Sequence, residues 1–203
     1  MKIFINTLSR AKQIILIEHL RNIINYAPFF RPYFPIWNTP FRIQITNAGD
    51  WGWISDKNGY RYCKTHPKTN DKWPNIPEPF LKIWDKYTSH SQRPNCSLIN
   101  LYDAKDSRLG LHQDKDEVDF SNPVLFISLG SKAIFNYGID RKNLKKITLT
   151  SGSIIILENK SRLYYHSISR ILDDKKNIFK KITIPGIPDN SRICISLRRF
   201  TQP

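Results

Sequence analysis

The C-terminal stretch Arg192-Ile193-Cys194-Ile195-Ser196-Leu197-Arg198 alternates apolar and polar residues without a break. Successive side chains of a strand point to opposite faces. Ile193, Ile195 and Leu197 therefore form one apolar face, while Arg192, Cys194, Ser196 and Arg198 share the other. The two arginine Cα atoms would lie roughly 20 Å apart along an extended strand. A guanidinium on a core-facing stripe is costly unless an anion meets it. Two long stems leaning inward could hold the two ends of a small dicarboxylate through forked hydrogen bonds. Two internal Asp or Glu residues could serve instead.

Upstream, short β segments separated by turn signals fill most of the chain: residues 41–46, 96–102, 124–129, 133–137, 145–150, 153–157 and 163–168. Two helices precede most of them. Residues 9–26 carry Ile14, Ile15, Leu20, Ile23 and Ile24 at helical spacing, ended by Pro28, and a Pro/aromatic irregular stretch runs on to Pro40. A second helix is predicted from Glu78 to about Ser89, entered through Pro77 and Pro79, with Phe80, Leu81, Ile83, Trp84 and Tyr87 inward. The pattern is α+β, mainly β: two antiparallel sheets with the helices packed on one side.

At 203 residues the chain suits one domain, and a 40% hydrophobic, 24% charged composition excludes disorder as the main state. No apolar run reaches the roughly 20 residues of a membrane span, and Met1-Lys2-Ile3-Phe4 opens no secretory signal. Cys63, Cys96 and Cys194 are odd in number and far apart, which suits a reduced, cytoplasmic protein and no cysteine-held zinc. The formal charge of +15 favours a polyanionic partner, most often nucleic acid, although a Lys-rich proteome would give the same excess.

Asn58-Gly59 is a two-residue hairpin signal. With that turn, Lys57 faces Tyr60, Ser55 faces Tyr62 and Trp53 faces Lys64, so Trp53, Tyr60 and Tyr62 share one face of a ribbon. Three aromatics on a basic protein suit base stacking, and they suit core packing equally well. Chemistry enters with Leu111-His112-Gln113-Asp114-Lys115-Asp116. In an extended strand His112 and Asp114 point the same way and could hold one metal ion. His166, on a later strand, completes a two-histidine, one-carboxylate set of the kind that leaves three positions open on non-haem Fe(II). Each residue alone is commonly structural, and His19, His66 and His90 are read that way.

With these segments in place the chain resembles the AlkB family of Fe(II)/2-oxoglutarate-dependent nucleic-acid dealkylases. The resemblance rests on Thr46-Asn47 with Gly52-Trp53 and Gly59-Tyr60, Cys96 to Tyr102, and His112-Gln113-Asp114-Lys115-Asp116-Glu117. It continues through Ser128-Leu129-Gly130 with Ala133-Ile134-Phe135, Ser161-Arg162-Leu163 with Tyr165-His166, and Arg192 to Arg198. It implies a double-stranded β-helix (jelly-roll) core. The N-terminal helices and nucleotide-recognition ribbon would fall in residues 1–95 and the catalytic core in 96–203, as one domain. It implies iron held by His112, Asp114 and His166 as the catalytic centre, with 2-oxoglutarate and O₂ as cosubstrates. Asn100, Tyr102, Arg192, Cys194, Ser196 and Arg198 would bind 2-oxoglutarate. Trp53, Tyr60, Tyr62 and Asp116 would meet the substrate base, with Arg141 or Lys142 as a basic substrate contact.

Cys194 and Ser196 stand where the family's best-known bacterial member has Asn and Thr. The implied reaction hydroxylates the alkyl carbon of 1-methyladenine or 3-methylcytosine in single-stranded DNA, with RNA as a second candidate, releasing formaldehyde and succinate. A monomer without an obligate protein partner or membrane attachment is expected. Two competing readings share parts of this pattern: an oxygenase of the same fold acting on a protein or small molecule, and a non-catalytic nucleic-acid-binding module. The intact triad disfavours the second; the aromatic ribbon and the charge disfavour the first.

Overall fold

The computed structural model describes residues 1–202. In chain order its elements are β1 (Lys2–Phe4), α1 (Arg10–Tyr26), β2 (Gln44–Gly49), β3 (Gly52–Asp56), β4 (Gly59–Cys63), α2 (Glu78–Tyr87), β5 (Cys96–Tyr102) and β6 (Leu109–His112). They continue with β7 (Val124–Gly130), β8 (Lys132–Gly138), β9 (Lys145–Leu149), β10 (Ile154–Leu157), β11 (Tyr165–Leu172) and β12 (Arg192–Arg198). Short 3₁₀ turns cover Asn159–Ser161 and Ile178–Lys180.

A major sheet in the order β1-β10-β7-β12-β5-β2 faces a minor sheet in the order β6-β11-β8-β9, with β3-β4 as a separate ribbon. Every pairing is antiparallel. This is the expected jelly roll. Its major sheet takes both edge strands, β1 and β2, from the first 95 residues, so sheet membership crosses the expected partition at 95/96.

β12 lies between β5 and β7, and its alternation is spent on two different cores. Ile193, Ile195 and Leu197 pack under the helices with Leu16, Ile17, Leu20, Phe80 and Trp84. The opposite face looks into the space between the sheets, where Leu98, Tyr102, Phe135, Ile168 and Cys194 cluster. The strand is buried on both faces, which confines the two arginines to the interior.

Helix α1 begins at Ser9, whose hydroxyl accepts from the Lys12 amide at 3.4 Å. Its buried stripe is Leu16, Ile17, Leu20 and Ile23, which keeps Leu20 and Ile23 of the predicted set: Ile15 is exposed, and Ile14 and Ile24 only flank the core. Isoleucines run almost around this helix, so periodicity alone does not select the inward face. Helix α2 ends at Tyr87, two residues early, where the Thr88 hydroxyl donates to the Trp84 carbonyl at 2.9 Å. The first predicted strand is displaced to 44–49 because the aromatic loop before it persists to Phe41.

The ribbon register also differs. Trp53 opposes Tyr62 and Ser55 opposes Tyr60, so the turn is Lys57-Asn58 and Gly59 follows it at φ +102°. The Asp56 carboxylate accepts from the Asn58 amide at 2.8 Å and from Arg61 at 2.7 and 2.6 Å, which holds this register. A one-residue turn shift moves each partner by two, so the shared face of Trp53, Tyr60 and Tyr62 survives it. Among the described residues no helix is long and apolar enough to cross a membrane.

Candidate active site

A cavity of about 540 Å³ opens between the sheets. His112, Asp114 and His166 meet in it, with their ligand atoms all within 4.8 Å of one another. The two histidines come from directly opposed positions of β6 and β11, which sets their rings 4.3 Å apart. Asp114 does not share the strand with His112. β6 ends at His112, and the carboxylate returns from the loop to lie 3.6 Å from the His112 Nε2 and 3.9 Å from the His166 Nε2.

Both rings are oriented through Nδ1, which donates to the carbonyl of Gly110 (2.8 Å, from His112) or of Tyr164 (3.1 Å, from His166). That tautomer leaves each Nε2 lone pair facing the cavity. Burial and the neighbouring His112 push the His166 pKa down to about 4, so this ring is neutral near pH 7. Burial opposes ionisation of Asp114, yet the Arg198 charge and the two histidines hold it well below the ordinary carboxylate range. A carboxylate and two imidazoles oriented through Nδ1 on one side of an open cavity fit Fe(II).

The two β12 arginines have different partners. Arg198 meets internal acids: Nη1 donates to Glu117 at 2.9 Å and Nη2 to Asp114 at 3.1 Å. Among the described residues Arg192, fully buried, reaches only the Ser128 hydroxyl at 2.7 Å and the Ser131 carbonyl at 3.2 Å. Its Nε has no partner among the described residues, and burial lowers its pKa. Tyr102 lies directly opposite on β5, and Asn100 opposite Cys194. All four line the cavity. A buried cation without a counter-charge among the described residues, beside a phenol, an amide and a metal set, fits the far carboxylate of 2-oxoglutarate.

Other predicted positions are redistributed. Ser196 is buried outside the cavity lining, and its hydroxyl accepts from the Arg198 Nε and Nη2 at 3.1 and 2.7 Å. Tyr62 also leaves the cavity: its ring stacks on Phe200 at 4.1 Å and its hydroxyl donates to Glu117. Trp53 and Tyr60 remain at the mouth, stacked at 5.7 Å, and the Trp53 indole N–H donates to Asp116 at 2.8 Å. Asp116 reaches this place through the loop after β6, not along a continued strand. Arg141 lines the cavity with its guanidinium 5.2 Å from the Tyr165 ring, whereas Lys142 sits in an exposed turn whose amide donates to Asp140.

Sequence reasoning missed several contributors. The Asn47 side chain brackets Trp53, accepting from its amide at 3.0 Å and donating to its carbonyl at 3.1 Å. Phe34, Trp37 and Phe41, from the unassigned Pro/aromatic stretch, line the mouth. Glu117 and Arg162 form a buried pair at 3.0 Å. The available signal was electrostatic: an arginine on a core-facing stripe requires an acid, and Glu117 closes the same string as Asp114.

A jelly roll that offers two histidines, a carboxylate and an unpaired buried arginine to one cavity is the framework of a 2-oxoglutarate-dependent oxygenase. Residues 1–198 match the 2OG-Fe(II) oxygenase superfamily. The protein is an Fe(II)/2-oxoglutarate-dependent dioxygenase, with O₂ as its second cosubstrate. It is 36% identical over 186 residues to an alpha-ketoglutarate-dependent dioxygenase AlkB homolog of Caulobacter vibrioides, spanning 91% of this chain and 80% of that one. Identity to alpha-ketoglutarate-dependent dioxygenase AlkB of Escherichia coli is 35% over 159 residues, 75% of this chain and 73% of that one. The solved structure of OsALKBH1 is similar at a TM-score of 0.77 and 26% identity, covering 97% and 95% of the two chains. The chain belongs to the AlkB family of these dioxygenases.

Proposed function

We propose that this enzyme removes methyl groups from 1-methyladenine and 3-methylcytosine in single-stranded DNA, and accepts RNA as well. The observation that carries this reading is the Asp116 carboxylate, pinned by Trp53 at the aromatic mouth of the metal cavity. The formal charge of +15 adds support, as does a partial likeness to the human protein named nucleic acid dioxygenase ALKBH1, 38% identical over 82 residues, 39% of this chain and 21% of that one.

Methylation at these ring nitrogens blocks the pairing edge and leaves a cationic base. Blocked pairing lowers the cost of extruding the nucleotide from its stack. Trp53 and Tyr60 offer π faces to that base, worth about 0.5–2 kcal/mol for a cation. Asp116 accepts from the exocyclic amino group and favours the charged form. Arg141, which lines the cavity beside Tyr165, supports the reading as the basic substrate contact in preference to the exposed Lys142. His112, Asp114 and His166 would hold the iron, and Arg192 with Tyr102 the far carboxylate of 2-oxoglutarate. Bound together with O₂, these supply the oxidising power that hydroxylates the alkyl carbon while the cosubstrate leaves as succinate and CO₂. The protein's own share is to bind, orient and keep the base edge against the metal set.

The test is competition among 1-methyladenine, 3-methylcytosine and neutral 3-methylthymine in otherwise identical single strands. Losing a charge-assisted hydrogen bond costs about 1.5–3 kcal/mol, so Asp116→Ala is expected to lower kcat/KM for the cationic bases by about 10–100-fold and much less for 3-methylthymine. Equal losses on all three bases would remove this role. Turnover of 2-oxoglutarate that no methylated oligonucleotide stimulates would overturn the substrate class.

A further inference from the structure

Asp114 lies beyond the end of β6, so no sheet ladder holds it. Two guanidinium groups do. Arg198 Nη2 donates to its Oδ2 at 3.1 Å, leaving Oδ1 as the oxygen nearer His112. Arg162 Nη1 donates to its backbone carbonyl at 2.7 Å, while Arg162 Nε is anchored on the Asn122 carbonyl at 2.8 Å. Both guanidinium groups meet again on one carboxylate, that of Glu117, at 2.9 Å from Arg198 and 3.0 Å from Arg162. The Glu117 side chain is 1% exposed and lies outside the cavity lining.

Its third donor is the Tyr62 hydroxyl on β4. The neighbouring residue, Asp116, takes the indole N–H of Trp53 on β3. Two tethers therefore run from the ribbon to residues 116 and 117, two and three positions after the metal ligand. Burial opposes ionisation of Glu117, and the Arg198 charge overcomes it, holding the carboxyl below its ordinary range.

We infer that Glu117 is a positioning residue: it orients Arg198 and Arg162 so that the Asp114 carboxylate is held between the two histidines, and it ties that placement to the β3–β4 ribbon. The ribbon arm rests on the proposed function, because it takes the ribbon as the substrate's seat. The metal arm does not. Neighbours that orient metal ligands typically change metal affinity by about 10–100-fold when replaced.

The experiment measures Mn(II) binding by calorimetry on Glu117→Gln and Glu117→Asp, with melting curves taken alongside. Glu117→Asp keeps the charge that the two arginines need and shortens only the reach, so it remains informative if Glu117→Gln does not fold. A tenfold or greater rise in the Mn(II) Kd of folded variants is expected. A Kd within twofold of the parent, whatever the melting temperature, would overturn the positioning role. For the ribbon arm, Tyr62→Phe removes one donor and leaves both arginines in place. It is expected to raise succinate released per formaldehyde at least threefold on a methylated oligonucleotide. An unchanged ratio would overturn the link to the ribbon. If the parent protein demethylates no oligonucleotide, the proposed function fails and the Mn(II) result still decides the positioning role.

Discussion

Arg192 and Arg198 stand six residues apart on one strand face, and replacing each by methionine should have opposite consequences. Arg198→Met strands Asp114 and Glu117, two buried carboxylates now 3.1 and 2.9 Å from its guanidinium. Breaking a buried pair from one side costs about 3–5 kcal/mol. Glu117 keeps Arg162 and Tyr62, which places the loss near the lower end. At 2–4 °C per kcal/mol for a chain of this size, the melting temperature should fall by about 6–12 °C.

Arg192→Met instead removes a buried charge that has no ion partner among the described residues. The hydrogen bonds to Ser128 and Ser131 are lost, at about 1.5–3 kcal/mol each for a charged donor, and relief of desolvation worth several kcal/mol offsets them. The ligand-free melting temperature should hold within about 4 °C of the parent, or rise. Cosubstrate protection should vanish. At a hundred times Kd, 2-oxoglutarate stabilises the parent by about 2.7 kcal/mol, or about 5–11 °C. Losing two charge-assisted bonds weakens binding by 100-fold or more, which removes nearly all of that shift. Scanning fluorimetry without ligand, then with Mn(II) and 2-oxoglutarate, measures both effects. An Arg192→Met protein that melts more than 6 °C below the parent, or that 2-oxoglutarate still protects, would refute the assignment of the unpaired arginine to the cosubstrate.

In the metal-free protein His166 should titrate near pH 4, because burial and the neighbouring His112 both lower it; ring ¹⁵N shifts report this directly, and a midpoint between 6 and 7 would contradict it. The linked stability has a definite sign. Between about pH 6.5 and pH 4 an unfolded histidine takes a proton that folded His166 refuses, so its contribution falls as pH falls. His112 acts in the opposite sense: burial lowers its pKa, but the Asp114 carboxylate raises it above the ordinary value, and its contribution is lost as pH rises through that pKa. Gly52→Ala should lower the melting temperature by about 2–12 °C, because a Cβ there would lie 2.3 Å from the Trp73 ring, whose Nε1 is fixed on the Cys63 carbonyl at 3.0 Å; unfolding curves that coincide with the parent would show that the ribbon base has slack.

Local rules read from the chain carry most of the architecture. Alternation is a property of one strand, so Arg192 to Arg198 announced two faces and two trapped arginines before any partner was known. Ser9, Pro77 and Pro79 mark helix starts because capping and proline chemistry act within a single turn. The two histidines were legible as a pair, since residue type limits what can hold iron.

What only the tertiary structure decided is which group meets which. Both arginines read alike in the sequence, yet one is neutralised by Glu117 and Asp114 and the other has no ion partner among the described residues. Tyr62 shares a ribbon face with Trp53 and Tyr60, yet Phe200, 138 residues along the chain, draws its ring away from the mouth. Asp114 reaches the metal set from a loop, held by side chains 48 and 84 residues away. Periodicity assigns a face because neighbouring backbone dihedrals impose it; partners on that face are chosen by contacts between distant segments, which exist only after the two sheets have closed on one another.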